Sequence, residues 1–180
     1  MDESDEQALL ERCRGGQDEA AFGELVERYK DLVFGMVYRL SRDRSQVDDL
    51  AQDVFLKVHR GLPYFRGEAK LSTWIYRIVF NVCSQERSRT RPVELPLDPG
   101  DGRPPIDPGR VDAAFGDFEL RDRLERAMAE LPDNYRFLVA AHYLKGVDYK
   151  ALAEALDIPI GTVKTHLHRA KRLLRERLTS

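Results

Sequence analysis

The sequence is poor in cysteine, and the two cysteines it has are isolated. Cys13 and Cys83 lie far apart, with no Cys-x-x-Cys pair and no secretion signal to accompany them. Disulfide frameworks and structural zinc sites need several cysteines at short, regular spacings. We therefore expect two reduced thiols in the cytoplasm, and the sequence leaves a redox role for either of them open.

Long apolar runs and stretches of alternating apolar and polar residues are also missing. A membrane-spanning helix needs about 20 consecutive apolar residues, and a half-buried strand needs strict alternation. The sequence therefore predicts no membrane insertion and argues against a β-sheet. Carboxylate clusters at metal-binding spacing, phosphate-cradling glycine loops and nucleophile motifs are absent too, so we expect no enzymatic activity and no cofactor.

A strong net charge is lacking as well, but the charge is unevenly distributed. The chain of 180 residues has a net charge of −2, which by itself indicates nothing about nucleic acid. Residues 1–12 carry five acids and one arginine, whereas residues 66–91 carry six basic residues against two acidic, and residues 162–178 carry six against one. Two separate stretches of the chain are therefore basic, although its net charge is close to zero.

Proline, by contrast, is concentrated in one place. Six of the nine prolines, together with three glycines, fall between Arg91 and Gly109, a composition that cannot hold a helix. A structureless loop of this length is improbable inside one compact domain. The sequence therefore predicts two domains, at residues 1–90 and 112–180, joined by a Pro-rich flexible linker at residues 91–111.

Apolar residues on either side of this break recur at intervals of three and four, which predicts an all-α fold of two small helical domains. In the first domain a short acidic helix is expected before three further helices, and the second domain is expected to have four. The predicted bounds are Glu19–Leu40 with a bend or break near Asp31, Ser45–Arg60, Leu71–Ser88, Ala113–Glu130, Asp133–Leu144, Tyr149–Leu156 and Thr162–Leu178.

The last two helices form a helix-turn-helix pattern. Asp148 can cap a short helix, residues 157–161 make a tight turn, and Val163, Leu167, Ala170 and Leu174 then predict the buried stripe of a second helix. A basic second helix after a tight turn is the arrangement that enters the DNA major groove. Its expected DNA contacts lie on the outer face and its edges: Thr162, Lys164, Thr165, His168, Arg169 and Arg172.

A metal site on this helix is not expected. His166 and His168 are two residues apart and so point to different sides of a helix, and no further ligand stands nearby. His168 is better interpreted as a donor that faces the groove, and the plain alternative for the whole face is a solvated, charged helical hairpin.

The helix at Leu71–Ser88 combines the only Trp with polar groups. Thr73, Trp74, Arg77, Asn81 and Ser84 are expected on the side opposite the apolar stripe. An aromatic beside cations, after the loop Phe65–Lys70 and before the basic residues Arg87, Arg89 and Arg91, suits unpaired nucleic acid, since bases stack on aromatics. The alternative is that Trp74 is buried against a neighbouring helix, the commoner fate of a lone Trp.

The helix at Ser45–Arg60 has a polar outer face with one apolar residue at its centre. Val47, Leu50, Ala51, Val54 and Val58 are expected in the core. The opposite face then carries Asp49, Gln52, Asp53, Leu56 and Arg60. An exposed leucine ringed by polar groups can mark a protein interface, although one exposed leucine is also ordinary.

Two blocks of sequence together resemble the extracytoplasmic-function sigma factors, a bacterial class in which region 2 and region 4 are helical domains joined by a flexible linker. The block DDLAQDVFLKVHRGLPYFRGEAKLSTWIYRIVFN resembles region 2. The block LPDNYRFLVAAHYLKGVDYKALAEALDIPIGTVKTHLHRAKRLL resembles region 4. Their order and separation match the family, and the resemblance covers nearly the whole chain.

The resemblance implies partners for each surface. Asp49, Gln52, Asp53 and Leu56 would dock on the clamp helices of core RNA polymerase, and region 4 would read the minus-35 promoter element and grip the polymerase flap. A dedicated anti-sigma factor would hold the chain inactive. The minus-10 element would be opened and held by residues of the loop and the following helix: Phe65, Arg66, Leu71, Ser72, Thr73, Trp74, Arg77 and Asn81.

The main alternative is a helix-turn-helix regulator that binds duplex DNA as a symmetric dimer without polymerase. The run Gly-Thr-Val-Lys-Thr-His also resembles DNA-binding domains of quorum-sensing and response regulators. That alternative explains only the second domain.

Overall fold

The structure is a computed structural model that describes residues 3–14, 18–90 and 118–179. Within these ranges the chain forms helices and turns and no β-strand, which confirms the predicted all-α class. It divides into two compact units, Met1–Cys83 and Ser84–Ser180. The predicted linker at 91–111 lies outside the described residues, so the predicted limits of 1–90, 91–111 and 112–180 stay predictions.

The described part of the first unit contains α1 (Glu3–Arg14), α2 (Glu19–Leu40), α3 (Val47–Gly61) and the first part of α4 (Leu71–Thr90), which continues past Cys83. The Asp18 carboxylate caps α2 by accepting the Ala21 N–H at 2.8 Å. Of the predicted bend or break near Asp31, the break is wrong, because α2 is continuous. Asp31 points to solvent, while the buried residues Tyr29 and Val33 keep one apolar stripe running past it.

The core of the first unit forms where α2, α3 and α4 bury their apolar stripes. All five residues expected to be buried on α3 are buried, and Phe55 joins them. Helix α1 is fastened to α2 by polar contacts: the Tyr29 hydroxyl donates to Glu6 at 2.7 Å, and Arg12 pairs with Asp18 and Glu24. The N-terminal helix is therefore part of the folded unit.

Both cysteines are buried, and neither forms a disulfide bond. Cys13 lies on α1 and Cys83 on α4, which agrees with the expectation of two thiols that are not joined to each other. Burial raises the pKa of the Cys13 thiol, which holds it in the less nucleophilic protonated form. In this structure Cys13 therefore acts as a small apolar core residue.

The second unit contains α5 (Phe118–Ala129), α6 (Asp133–Val139), α7 (Tyr149–Leu156) and α8 (Ile160–Thr179). Helix α6 continues into a π-helical turn at Ala140–Leu144. The two segments together match the predicted helix Asp133–Leu144. The predicted start of α5 at Ala113 lies outside the described residues. Helix α8 begins two residues before its predicted start, because the Pro159 carbonyl accepts the N–H groups of Thr162 and Val163.

A buried arginine holds the end of α5. Arg136 on α6 is 1% exposed. Its guanidinium donates to the backbone carbonyls of Met128 at 2.8 Å and Leu131 at 2.9 Å, and also to that of Ala129. Carbonyls at a helix C-terminus have no partners within the helix, and a cation there also complements the helix dipole. Arg136 therefore fixes α6 against the end of α5.

Candidate nucleic-acid interface

The helix-turn-helix in the second unit is set by two aspartates. The Asp148 carboxylate accepts the Ala151 N–H at 2.8 Å and starts α7, as predicted. Asp157 ends α7 in the left-handed conformation, with φ 56°, and the Ile158 N–H donates to the Ala153 carbonyl at 3.1 Å. The chain therefore turns sharply within Asp157–Pro159 before α8 begins.

Helix α8 presents its predicted basic face to solvent. Val163, Leu167 and Ala170 are buried, as expected, while Leu174 is half-buried. The predicted DNA contacts then fall into two groups. Lys164, His168 and Arg172 are exposed, and Thr162, Thr165 and Arg169 are half-buried.

Two of these side chains also interact within the helix. The Thr165 hydroxyl donates to the Gly161 carbonyl at 3.0 Å, and Arg172 lies 3.8 Å from a carboxylate oxygen of Glu176. An exposed ion pair of this kind is weak, so it leaves Arg172 able to reach a phosphate. Lys164 and His168 are therefore the two most accessible donors at the start of the face.

His166 has a different role from His168. Its ring lies against Tyr135, with 5.0 Å between centroids, and its Nδ1 is 3.5 Å from the amide nitrogen of Asn134. Burial and then the nearby Arg169 lower the pKa of His166, so the neutral ring is favoured. It packs α8 against α6. No group of three His, Cys, Asp or Glu side chains in the described part of the chain could hold a metal ion.

The second surface surrounds Trp74 at the start of α4. Trp74 is half-buried, and its ring packs against Phe65 with a centroid distance of 5.1 Å. Its indole also lies against the backbone of Gly61, where an added Cβ would be 2.7 Å from Cζ2. Neither alternative from the sequence describes Trp74 fully, because one part of the ring is packed and the other is accessible.

The other predicted minus-10 residues differ in accessibility. Arg66 and Asn81 are exposed, and Ser72 and Arg77 are half-buried. Phe65 is 8% exposed, Leu71 1% and Thr73 4%. The predicted position of Thr73 on the open side of α4 is wrong: Ile75 and Tyr76 are also buried, so the first turn is packed on more than one side. These three buried residues hold the loop and do not offer a free surface.

Three arginines follow this surface in the sequence. The side chains of Arg87 and Arg89, and the whole of Arg91, lie outside the described residues. Arg77, Lys70 and Arg66 are therefore the cations near Trp74 in sequence whose side chains the structure describes. A single aromatic edge flanked by cations is the combination that single-stranded nucleic acid requires.

The third surface is the outer face of α3, which the structure places as predicted. Asp49, Gln52, Asp53 and Leu56 are all exposed and lie three or four residues apart, so they form one stripe. Leu56 is 46% exposed. We call these four residues the α3 stripe. An exposed leucine within an acidic stripe is suited to a protein partner with apolar and basic groups.

Arg14 and Tyr64 were not singled out from the sequence. Arg14 lies at the end of α1, and its Nη2 donates to the Phe65 carbonyl at 2.5 Å. Tyr64 immediately precedes the loop and is 82% exposed. No local pattern could have revealed a contact across 51 positions of sequence, although an aromatic beside Phe65 was visible.

No described helix is long and apolar enough to pass through a bilayer. The chain matches two family models in order, Sigma-70 region 2 over residues 25–92 and Sigma-70 region 4 over residues 121–174. The first match contains the α3 stripe and Trp74, and the second contains the helix-turn-helix. Both blocks singled out in the sequence are thus matched independently.

Two relatives are similar along nearly the whole chain. The ECF RNA polymerase sigma factor SigW of Bacillus subtilis is 31% identical, over 92% of this chain and 91% of its own. The ECF RNA polymerase sigma-E factor of Haemophilus influenzae is 32% identical, over 96% of this chain and 95% of its own. These matches span both units, so a regulator that resembles only the second unit is not supported.

Two solved structures have a similar fold. CnrH, in complex with the cytosolic domain of CnrY, has a TM-score of 0.70 at 20% identity and covers 96% of each chain. The sigma factor RpoE of Bartonella quintana, in complex with the anti-sigma factor NepR, has a TM-score of 0.66 at 24% identity and covers 88% of this chain and 96% of its own. With both region models matched and relatives above 30% identity across both units, this chain belongs to the extracytoplasmic-function family of RNA polymerase sigma factors.

Proposed function

We propose that this chain binds core RNA polymerase in the cytoplasm, directs it to specific promoters and helps to open the DNA there. The polymerase performs nucleotidyl transfer, and the chain itself catalyses nothing. The observation that carries the proposal is the presence in one chain of the exposed α3 stripe, the partly open Trp74 and the exposed basic face of α8. A regulator that acts without polymerase has no use for the first two.

The α3 stripe is proposed to dock on the clamp helices of the polymerase. Leu56 would enter an apolar contact, and the surrounding acids would meet basic groups on the partner. Buried apolar anchors dominate the affinity of such interfaces, whereas charges at the rim contribute mostly to association rate. We therefore expect Leu56→Ala to weaken core binding mainly through faster dissociation.

Helix α8 is proposed to lie in the major groove of the minus-35 element. Lys164 and His168 are exposed at its N-terminal half, which is the part of a recognition helix that contacts base edges. Thr162 and Thr165 can hydrogen-bond to bases or phosphates beside them, and Arg169 and Arg172 can hold the backbone. Region 4 is also expected to contact the polymerase flap.

Trp74 is proposed to support strand opening at the minus-10 element. Stacking of a base on an aromatic contributes about 1–3 kcal/mol, which offsets the few kcal/mol that unstacking a base costs. Arg66, Arg77, Ser72 and Asn81 would contact the opened strand. The buried residues Phe65, Leu71 and Thr73 would hold these contact residues in position by packing in the core.

A dedicated anti-sigma factor is the remaining proposed partner. The support is that the RpoE structure of similar fold was solved with the anti-sigma factor NepR. A regulator of this kind would act by covering surfaces that the polymerase needs. We expect such a partner and core polymerase to compete for this chain.

The experiment that tests the proposal is footprinting of promoter DNA with and without core polymerase. Wild-type chain with core should protect two separate segments and make bases in the downstream segment reactive to permanganate. His168→Ala should weaken the upstream protection, Trp74→Ala the downstream reactivity and Leu56→Ala both. Two exposed sites, Lys30→Ala on α2 and Asp48→Ala beside the stripe, serve as controls.

Symmetric protection by the chain alone, unchanged by core polymerase, would contradict the proposal. That result would instead support a dimeric regulator. Loss of protection in Lys30→Ala or Asp48→Ala as large as in the test variants would also count against it, because the effect would then not depend on the proposed contact surfaces.

A further inference from the structure

A groove lies between the end of α1 and the loop that precedes α4. It has a volume of about 450 Å³ and is lined by Arg14, Pro63, Tyr64, Phe65 and Arg66. This volume is in the range of small-ligand sites, about 300–1,000 Å³. Three of its five residues, Arg14, Pro63 and Tyr64, belong to none of the contact surfaces described above.

The groove is chemically suited to one nucleotide. Tyr64 is 82% exposed and offers an aromatic face, and Arg66 is exposed beside it. Arg14 adds a second guanidinium from a different helix. Aromatic side chains for the base and cations for the phosphate are the two features shared by sites for unpaired strands.

Arg14 has hydrogen-bonding capacity that the described residues do not satisfy. Its Nη2 donates to the Phe65 carbonyl at 2.5 Å, but its Nε is buried with no hydrogen-bond partner in the described part of the chain. A buried donor without an acceptor is costly, and more so on a charged group. An anionic group in the groove would stabilise this guanidinium.

The groove is continuous with the Trp74 surface through one residue. Phe65 lines the groove, and its ring packs on Trp74. Helix α1 is held in position by the contacts of Arg12 with Asp18 and Glu24, so Arg14 is presented to the loop by a fixed element. A DNA strand that passes Trp74 would therefore place a neighbouring nucleotide at the groove.

We propose that this groove binds a further nucleotide of the unpaired promoter strand, with Tyr64 stacking on its base and Arg14 and Arg66 holding its phosphate. The inference rests on the proposed function, because it needs a strand that is opened at Trp74. It adds α1 to the DNA-binding surface of region 2. Arg14 has two roles, since it also positions the loop through Phe65.

The base contact is tested with promoter templates that carry a pre-melted bubble and a single abasic nucleotide at successive positions. The promoter is first recovered by transcription from a library, and open-complex formation is measured with core polymerase. Tyr64→Ala should weaken open complexes by between about 5-fold and about 150-fold, whereas Tyr64→Phe should keep wild-type levels. At the one template position whose base stacks on Tyr64, removing the base should make open-complex formation equal for the wild type and Tyr64→Ala.

The phosphate contact is tested by salt dependence. The readout is the affinity of the chain with core polymerase for the bubble template, plotted as log affinity against log salt concentration. Arg14→Met should reduce the magnitude of this slope by about 0.7, the value for one lost phosphate contact on a single strand. The matched control is Lys30→Met, which removes the same charge at an exposed position of α2 that does not line the groove. A change in loop position alone would leave this slope at the wild-type value.

The outcomes separate this inference from the proposed function. If wild-type chain gives no open complex with core polymerase on any promoter, both fail. Only this inference fails if the wild-type chain opens promoters and two further results are found. The first is that each abasic position reduces open-complex formation as much for Tyr64→Ala as for the wild type. The second is that Arg14→Met keeps the wild-type salt slope; together these results would show that the groove binds no nucleotide. Tyr64 is exposed, so its variants test the groove even where Arg14→Met disturbs the loop.

Discussion

Trp74 is held by a contact that leaves no room for one additional methyl group. A Cβ at Gly61 would lie 2.7 Å from Cζ2 and 3.0 Å from Cη2 of the indole, whereas a Cβ at Gly23 would meet nothing within 4 Å. Both glycines lie in helices, where alanine alone would stabilise by about 1 kcal/mol. The two substitutions therefore separate a steric effect from helix propensity.

We predict that Gly61→Ala is less stable than Gly23→Ala by about 1–3 kcal/mol, because the indole must move from its packed position. Urea unfolding measures the difference. The fluorescence of Trp74, the only Trp in the chain, should shift to the red in Gly61→Ala alone. Equal stabilisation by both variants would show that Trp74 does not occupy this position.

His166 provides a test of packing through pH. Its folded-state pKa is lowered from 6.5, first by burial and then by Arg169, so the unfolded chain binds a proton more readily than the folded one. The stabilisation that comes from burying the neutral His166 ring is fully present above the pKa of His166 in the unfolded chain. It is lost as the pH falls through the pKa of His166 in the folded chain. We predict that His166→Asn reduces the loss of stability between pH 7.5 and pH 5.5.

The measurement is the urea midpoint of region 4 at both pH values. His168→Asn, at an exposed position of the same helix, is the control for removing an imidazole from α8. A pH dependence in His166→Asn as steep as in the wild type would contradict the burial of the neutral ring.

Single residues also show where sequence reasoning reached its limit. The exposed positions of Lys164 and His168 follow from a local period of 3.6, and the structure agrees with them. Thr73 was misplaced because its burial depends on packing around the first turn of α4, which the period of one helix does not encode. The contact between Arg14 and Phe65 was unpredictable for the same reason, since tertiary structure alone brings them together.

At the scale of elements, α5 and α6 are joined by Arg136. We predict that Arg136→Met destabilises region 4 by at least about 2 kcal/mol, because buried carbonyls of α5 lose a charged donor. Arg136→Lys should recover little, since an ammonium lacks the planar fork that reaches several carbonyls.

Helical circular dichroism in urea measures this loss, and Trp74 fluorescence reports the first unit separately. The transition followed by circular dichroism should move to lower urea concentration in Arg136→Met. A midpoint equal to that of the wild type would contradict the proposed role of Arg136 in holding α5.

The elements themselves were largely predictable. The helices α2, α3, α4, α7 and α8 were placed within two residues at their described ends, and so was α6 when the π-helical turn Ala140–Leu144 is counted with it. The failures occurred where a polar residue or a glycine was taken as an interruption. Asp31 points to solvent from a continuous α2, and Gly161 lies in the first turn of α8 because Pro159 provides the first acceptor.

At the scale of the whole molecule, charge predicts weak DNA binding by the free chain. The net charge is −2, and the basic residues are confined to small patches, so few counterions are released on contact with duplex. We predict little binding of the chain alone to promoter duplex at physiological salt, measured by fluorescence anisotropy. Tight binding of the isolated chain under these conditions would contradict a requirement for core polymerase.

The division into two units connects this requirement to mechanism. One unit carries the α3 stripe and the Trp74 surface, and the other carries the helix-turn-helix. Under the proposed function, neither unit alone would both recruit polymerase through α3 and read an upstream element through α8. Family resemblance supplied the partners of these surfaces, while periodicity supplied only their positions. The groove at Arg14 came from the folded structure alone.

Run-off transcription on a promoter library with purified core RNA polymerase tests the central claim most directly. The wild-type chain should give promoter-specific transcripts that are absent with core alone. Trp74→Ala and His168→Ala should each reduce them at least several-fold, and Lys30→Ala should not. Absence of chain-dependent transcripts, or transcripts that both variants support at wild-type levels, would contradict a sigma factor that works through both units.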